Sequence, residues 1–398
     1  MEGNMLIVHG GAPTAVINAS LYGAIQEAKA SGAIRTIYGA RGGSAGLIAG
    51  DFINLSLLEN TTLERLPATP ASYIGTSRDH VRDQDYDRII EVLVEQDIKA
   101  LLFTGGNGSM DTCGKIARRI ETRFPGKGIR VAGIPKTIDN DIAVTDHAPG
   151  FGSAARYLAA SVRELAQDIA SLPIHVCIVE SMGRNAGWLT AAAALAKENP
   201  SYGDTCGSAV GPHLIYVPEI PFDEEEFLDS AKTLYSRYGG VLVVASEGLK
   251  NRAGKNIVPP IFEVGRSLYY GDVSAHLCNL VIQKLGIKAR SEKPGVLGRC
   301  SATHQSPVDR DEAIQAGRKA VNAVLEGETG FMVGFKRIST DPYRCDTMLI
   351  PLEEVMLKES TLPLKYVSAE GSGIEQSYVD WCKPLIGRPL DTYPNVRG

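Results

Sequence analysis

Ala100-Leu101-Leu102-Phe103-Thr104-Gly105-Gly106-Asn107-Gly108-Ser109-Met110-Asp111 decides the fold class. Ala100–Phe103 is apolar without alternation, which fits a strand covered on both faces rather than one with a wet side. The glycines then make a turn, and helical spacing follows near Asp111–Ile120. The same plan recurs along the chain. Met5–Val8 precedes Gly10-Gly11 and a helical pattern from Val16 to Ala28. Val131–Ile134 ends at Pro135-Lys136, and His175–Val179 precedes Gly183 and a helix through Ala196. His213–Val217 and Gly240–Ala245 read as further strands. Strand, glycine turn and helix in repetition predict βαβ units and mostly parallel sheets. Ligands of such sheets bind at the C-terminal ends of strands, where each glycine cluster falls.

The composition bounds the function. At 398 residues, with 44% apolar and 22% charged residues, the chain is long enough for two or three domains with unstapled cores. A net charge of −5 with no basic tract disfavours nucleic acid as partner. Seven cysteines at 113, 177, 206, 278, 300, 345 and 382, none in a C-x-x-C pair, read as reduced thiols and argue against structural zinc. The start, Met1-Glu2-Gly3-Asn4, has no basic and apolar leader, and no apolar run is long enough for a membrane span. A cytoplasmic protein with no membrane contact is expected. Asp223–Glu226 reads as the acidic first turn of a solvated helix.

Four clusters carry possible chemistry. His9-Gly10-Gly11-Ala12-Pro13-Thr14 joins a strand to a helix, as a phosphate cradle would, although any such turn uses glycine. It has neither P-loop nor dinucleotide spacing. Gly105-Gly106-Asn107-Gly108-Ser109 suits a polyphosphate with a metal, or is a loop with an N-cap. Pro135-Lys136-Thr137-Ile138-Asp139-Asn140-Asp141 is the most telling. A turn explains one Asp and the Asn, but not two carboxylates with a lysine and a hydroxyl at a sheet edge. A carboxylate there accepts a proton, and a cation with a hydroxyl steadies a transferring phosphoryl group. Met182-Gly183-Arg184 offers a fork-shaped phosphate ligand. Arg78, Glu247, Arg290, Lys293 and Arg299 are individually unremarkable. His175, at the start of an apolar strand, is more often a packed histidine than a ligand.

Together these segments resemble the phosphofructokinase A family. Pro135–Asp141 followed by Thr145-Asp146, Gly150-Phe151-Gly152 and Glu180–Gly187 is a specific series, and the similarity runs from Met5 to about Gly334. Pro259-Pro260, Glu292-Lys293-Pro294-Gly295 and Asp309–Ala313 are similar to the bacterial branch with pyrophosphate-dependent members. The resemblance implies an α/β fold of two similar doubly wound, mostly parallel-sheet domains with the active site in the cleft between them. The donor domain would be 1–150 plus about 300–345, and the sugar-phosphate domain 151–299 plus about 346–398. It implies a 6-phosphofructokinase of glycolysis, with Asp139 as base, Thr137 and Lys136 at the transferring phosphoryl, and Mg²⁺ on Asp141 and Asn107. Gly10, Gly11, Arg78, Gly106, Asn107, Gly108 and Ser109 would bind the donor. Thr137, Asp139, Asp141, Met182, Gly183, Arg184, Glu247, Lys293, Arg299 and His175 would bind fructose 6-phosphate. A second subunit completes the sugar site in this family, so a homodimer or homotetramer is implied.

The chain departs from that pattern at several positions. Asn107 stands where the family has a magnesium-binding aspartate, and Gly108 follows it where related members carry aspartate. His175 takes the place of an arginine supplied by the neighbouring subunit, and a neutral imidazole is the weaker phosphate ligand. Arg299 replaces a histidine, and Ala302 an arginine. Gly108 leaves room for an α-phosphate and so favours ATP; Lys136, shared with pyrophosphate users, excludes neither donor. ATP is therefore the expected donor over pyrophosphate. Two alternatives remain open: another acceptor such as sedoheptulose 7-phosphate, and a non-catalytic regulatory paralogue.

Overall fold

In the computed structural model the residues described are 3–79, 81–197, 210–264 and 267–394. Cys206 lies outside them; the other six cysteines are free thiols. No helix among the described residues is long and apolar enough to cross a membrane. The strands run in chain order as β1 (Asn4–His9), β2 (Ile37–Ala40), β3 (Phe52–Asn54), β4 (Ile98–Gly105), β5 (Arg130–Pro135), β6 (Val176–Ser181), β7 (Leu214–Tyr216), β8 (Val241–Ser246), β9 (Pro260–Val264), β10 (Ser267–Tyr270), β11 (Ala289–Glu292), β12 (Phe331–Thr340) and β13 (Tyr343–Pro351). The chain divides into unit 1, Met1–Ser153 with Arg299–Ser360, and unit 2, Ala154–Gly298 with Thr361–Gly398.

Unit 1 is built on one sheet of order β13-β12-β5-β4-β1-β2-β3. Its centre is parallel, and antiparallel partners close both edges. The unalternating apolar strands have the predicted cause. Leu6 and Val8 face one core and Met5 and Ile7 the other; Leu101 and Phe103 separate from Ala100 and Leu102 in the same way. Helices Asp83–Glu95 and Asn107–Arg123 supply Ile89, Ile90, Met110 and Ile116 to the first core. Helices Ile17–Ser31 and Pro307–Glu326 cover the second. These two helices touch backbone to backbone: a methyl group at Gly23 would lie 2.1 Å from the Ile314 carbonyl oxygen, and one at Gly317 2.1 Å from that of Ser20. Burying each Leu or Ile in such cores is worth about 1.5–3 kcal/mol.

Unit 2 has a parallel sheet of order β11-β6-β8-β7 and an antiparallel pair, β9 and β10. All residues of β6 and β8 are buried. The helix Glu224–Tyr238 starts as expected, with Asp223 capping the Glu225 and Glu226 amides. The segment after Gly183 forms one short α turn, Trp188–Ala191, that tightens into a 3₁₀ helix, Ala192–Lys197. The C-terminal segment packs on this unit. Trp188 and Trp381 ring centroids are 4.9 Å apart, and Tyr378 is fully buried beside them. Arg156 donates to the Ile386 and Arg388 carbonyls, and Arg163 to that of Asp391.

Candidate active site

Three adjacent parallel strands of unit 1 end level with one another. His9 pairs with Thr104, and Gly105 with Pro135. The loops after β1, β4 and β5 therefore leave one edge side by side, although they are far apart in sequence. Main-chain bonds fix them: Gly10 N–H donates to the Thr104 carbonyl at 2.8 Å, and Lys136 N–H to that of Gly105 at 2.9 Å. The glycines serve close approach. A methyl group at Gly10 would lie 2.3 Å from Ser109 Oγ, and one at Gly11, whose φ is +78°, 3.2 Å from Lys136 Nζ. Of the expected donor-loop residues, Gly10 thus lies against Ser109, and Gly11 and Gly106 lie against Lys136. Arg78 follows Ser77, which bridges to Gly10. Gly108 faces open space.

The Lys136–Asp141 loop is folded on itself. Thr137 Oγ1 donates to Asp141 Oδ1 at 2.8 Å and accepts from the Asp139 amide at 3.1 Å. Asn140 has a φ of +52°, and its side chain holds the Ala148 amide at 3.0 Å. Lys136 Nζ donates to the Ala12 carbonyl at 2.7 Å. Burial pushes the Lys136 ammonium down to about 8; Asp139 and Asp141 oppose that, while Arg299 and Arg78 reinforce it. Five charged groups thus act on one another here, and Arg299, expected with the sugar, belongs to this group. His9, buried and near Lys136, is held neutral with a pKa of about 3.

Asn107 shows how a metal would be met. Its amide nitrogen donates to the Asp141 carbonyl at 3.1 Å and to Asp141 Oδ2 at 3.0 Å. Both partners are acceptors, so the carbonyl Oδ1 faces away, and it is buried without a hydrogen-bond partner. A buried oxygen with no donor fits an oxygen-seeking cation such as Mg²⁺. His147, Glu312 and Cys345 also cluster within reach of a shared ion. There both ring nitrogens are already taken, Nδ1 by Asp146 at 2.9 Å and Nε2 by Glu312 at 2.7 Å.

In unit 2, Ser181 pairs with Ser246, so the loops after β6 and β8 also start level. Ser246 Oγ donates to the Gly183 carbonyl at 2.8 Å, and Glu247 N–H to that of Ser181 at 2.9 Å. Gly248 lies against the Arg184 carbonyl, where a methyl group would come within 1.7 Å. Met182, Gly183, Arg184 and Glu247 are thereby gathered. Burial raises the Glu247 carboxyl, with Arg184 acting against it. Arg184 rests 5.3 Å over the Tyr270 ring. Lys293 is committed to carboxylates: its Nζ is 3.0 Å from Glu180 Oε1 and paired with Asp272. Glu180, buried and also holding the Ser274 amide at 3.0 Å, carries no signal of this role in the sequence. His175 precedes β6, at the end opposite Arg184, and burial keeps its pKa low.

Comparison with known proteins agrees with this arrangement. The phosphofructokinase family model matches residues 4–324. The chain is 35% identical to a pyrophosphate–fructose 6-phosphate 1-phosphotransferase of Rhodospirillum rubrum, over 98% of this chain and 96% of that one. It is 33% identical to a sulfofructose kinase of Alkalicoccus urumqiensis, over 96% and 95%. A crystal structure of a pyrophosphate-dependent phosphofructokinase from Nitrosospira multiformis superposes with a TM-score of 0.87 at 32% identity, covering 100% of this chain and 95% of that one. With its motif series, its two parallel-sheet units and these matches, the chain belongs to the phosphofructokinase family.

Proposed function

We propose that the protein transfers a phosphoryl group from pyrophosphate to the 1-hydroxyl of fructose 6-phosphate. The observation that carries this reading is the meeting of Lys136, Thr137, Asp139, Asp141 and Asn107 at one sheet edge. Asp139 accepts the proton of the attacking hydroxyl. Thr137, its hydroxyl held between Asp141 and the Asp139 amide, and Lys136 face the transferring phosphoryl. Asp141 and the Asn107 amide would hold Mg²⁺, which when bound neutralises phosphate charge. Retention of this set, with the orphaned Asn107 oxygen, favours a catalyst over a non-catalytic paralogue.

The preference for ATP drawn from Gly108 gives way. Steric exclusion discriminates between donors, and a methyl group at Gly108 would meet nothing within 4 Å, so neither donor is excluded there. The compact cationic group of Lys136, Arg78 and Arg299 suits a short, highly charged donor. Similarity over nearly the whole chain to proteins named for pyrophosphate supports the same choice. A second reading keeps the chemistry and takes sulfofructose as acceptor. Its support is the neutral His175 in an arginine's place and the relative named for that sugar. Product formation from fructose 6-phosphate with Mg²⁺, using pyrophosphate and ATP in parallel, tests the proposal. Turnover with pyrophosphate is expected. Turnover with ATP alone would restore Gly108 as the informative position, and none with either would return the non-catalytic paralogue.

A further inference from the structure

Arg78 ends a stretch of unit 1, residues 69–78, that has neither helix nor strand. An exposed side chain at the end of such a segment is only as well placed as the anchors of the segment. Here the anchors are two buried polar side chains. Asn18 lies in the first turn of the helix Ile17–Ser31, and His9 ends β1.

The segment winds around the Asn18 carboxamide. Asn18 Nδ2 donates to the Thr69 carbonyl at 2.9 Å and to the Ala71 carbonyl at 2.8 Å. Asn18 Oδ1 accepts from the Tyr73 amide at 2.8 Å. Two acceptors and one donor so arranged call for a carboxamide, since a carboxylate has no proton to give. Ala71 has a φ of +63°, which an L-residue keeps only where its neighbours hold it. His9 fixes the next stretch. Ser72 Oγ donates to the Gly75 carbonyl at 2.8 Å, so its one proton is committed, and it accepts from His9 Nδ1–H at 2.7 Å. Two further bonds stitch the end of the segment to the turn after β1. Thr76 Oγ1 donates to the Gly11 carbonyl at 2.7 Å, and Gly11 N–H to that of Ser77 at 2.8 Å. Arg78 follows directly.

We propose that Asn18, with His9 and Ser72, is a positioning residue for Arg78 and sets affinity for the phosphate end of the donor through it. This rests on the reading that Arg78 meets donor phosphates, and it holds for pyrophosphate and ATP alike. A guanidinium grips phosphate through a fork of fixed geometry, so a displaced segment weakens the donor and spares the acceptor.

A double-mutant cycle of wild type, Asn18→Ala, Arg78→Gln and the double variant tests this. Ser72→Ala is added as a milder change, in case loss of the Asn18 bonds prevents folding. Steady-state assays with Mg²⁺, pyrophosphate and fructose 6-phosphate give both KM values. Arg78→Gln should raise the pyrophosphate KM about tenfold, the size of one charged contact. Asn18→Ala and Ser72→Ala should raise it at least about threefold, with the fructose 6-phosphate KM unchanged. In the Arg78→Gln background Asn18→Ala should add nothing, because its effect passes through the missing guanidinium. An unchanged pyrophosphate KM in the variants that fold overturns the proposal. So does a rise shared equally by both substrates, or one that persists undiminished in the Arg78→Gln background. Calorimetric titration with magnesium pyrophosphate and with MgATP, without acceptor, reads the same cycle without turnover. If Arg78→Gln binds both as wild type does, Arg78 leaves the donor site and the proposal falls with it. The expected cycle seen with MgATP alone would uphold the proposal and overturn pyrophosphate as donor.

Discussion

At the scale of the residue, Asp139 carries the sharpest expectation. Asp139→Asn keeps shape and removes the base, so kcat should fall at least ~10²-fold while the acceptor KM changes little. Unchanged turnover would take Asp139 out of the proton-accepting role. The Lys136–Asp141 cluster was legible in the sequence because its types conflict with a mere turn. Two carboxylates and a lysine at a sheet edge ask for a reason beyond folding. Other residues gave no such signal. Asn107 looked like a lost metal ligand, and only its hydrogen bonds show that the amide nitrogen faces Asp141 and leaves its oxygen unpartnered. Lys293 looked available for a sugar phosphate, yet Glu180 on β6, far away in sequence, pairs with it.

At the scale of the element, an ion network ties the loop after β5 to its supports. His147 sits between Asp146 and Glu312 of the helix Pro307–Glu326. Arg337 on β12 pairs with Asp146 at 3.0 Å, and Tyr343 on β13 donates to Glu312 at 2.6 Å, with Cys345 close by. Burial opposes the His147 charge, but Glu312 and Asp146 prevail and raise its pKa to about 9. A raised folded pKa stabilises fully below the unfolded value, near 6.5, and that contribution fades as pH rises through about 9. Roughly 1–3 kcal/mol of stability should be lost over that window. His147→Gln should flatten the loss in urea unfolding followed from neutral to alkaline pH; an unaltered slope would mean that His147 does not carry it. None of this was visible in sequence, because the partners lie on separate elements. The β12–β13 hairpin was missed for a related reason. Its outer half alternates exposed and half-buried residues, including Lys336, Arg344 and Asp346, as an edge strand does. The expected domain return near residue 345 therefore falls inside β13, whereas the chain leaves unit 1 after Ser360.

At the scale of the whole molecule, strand, turn and helix gave away the parallel sheets because strands buried on both faces cannot alternate. The final segment was not readable in that way. Its short helices, Gln376–Cys382 and Lys383–Ile386, have meaning only through what they cover. Ending the chain after Ser360 would strip Tyr378, Trp381, Leu385 and Ile386 from unit 2 and expose its core. Such a truncation should be insoluble or lose cooperative unfolding; a soluble truncated protein with a sharp transition would show that the segment is dispensable. The same aromatic packing has an optical consequence. The chain has two tryptophans, and both are in unit 2, tilted against each other with ring centroids 4.9 Å apart. Indole fluorescence is therefore a private channel to one half of the protein, while far-ultraviolet circular dichroism averages over both. Denaturation curves recorded in the two channels will superimpose where the halves melt together and separate where they melt apart.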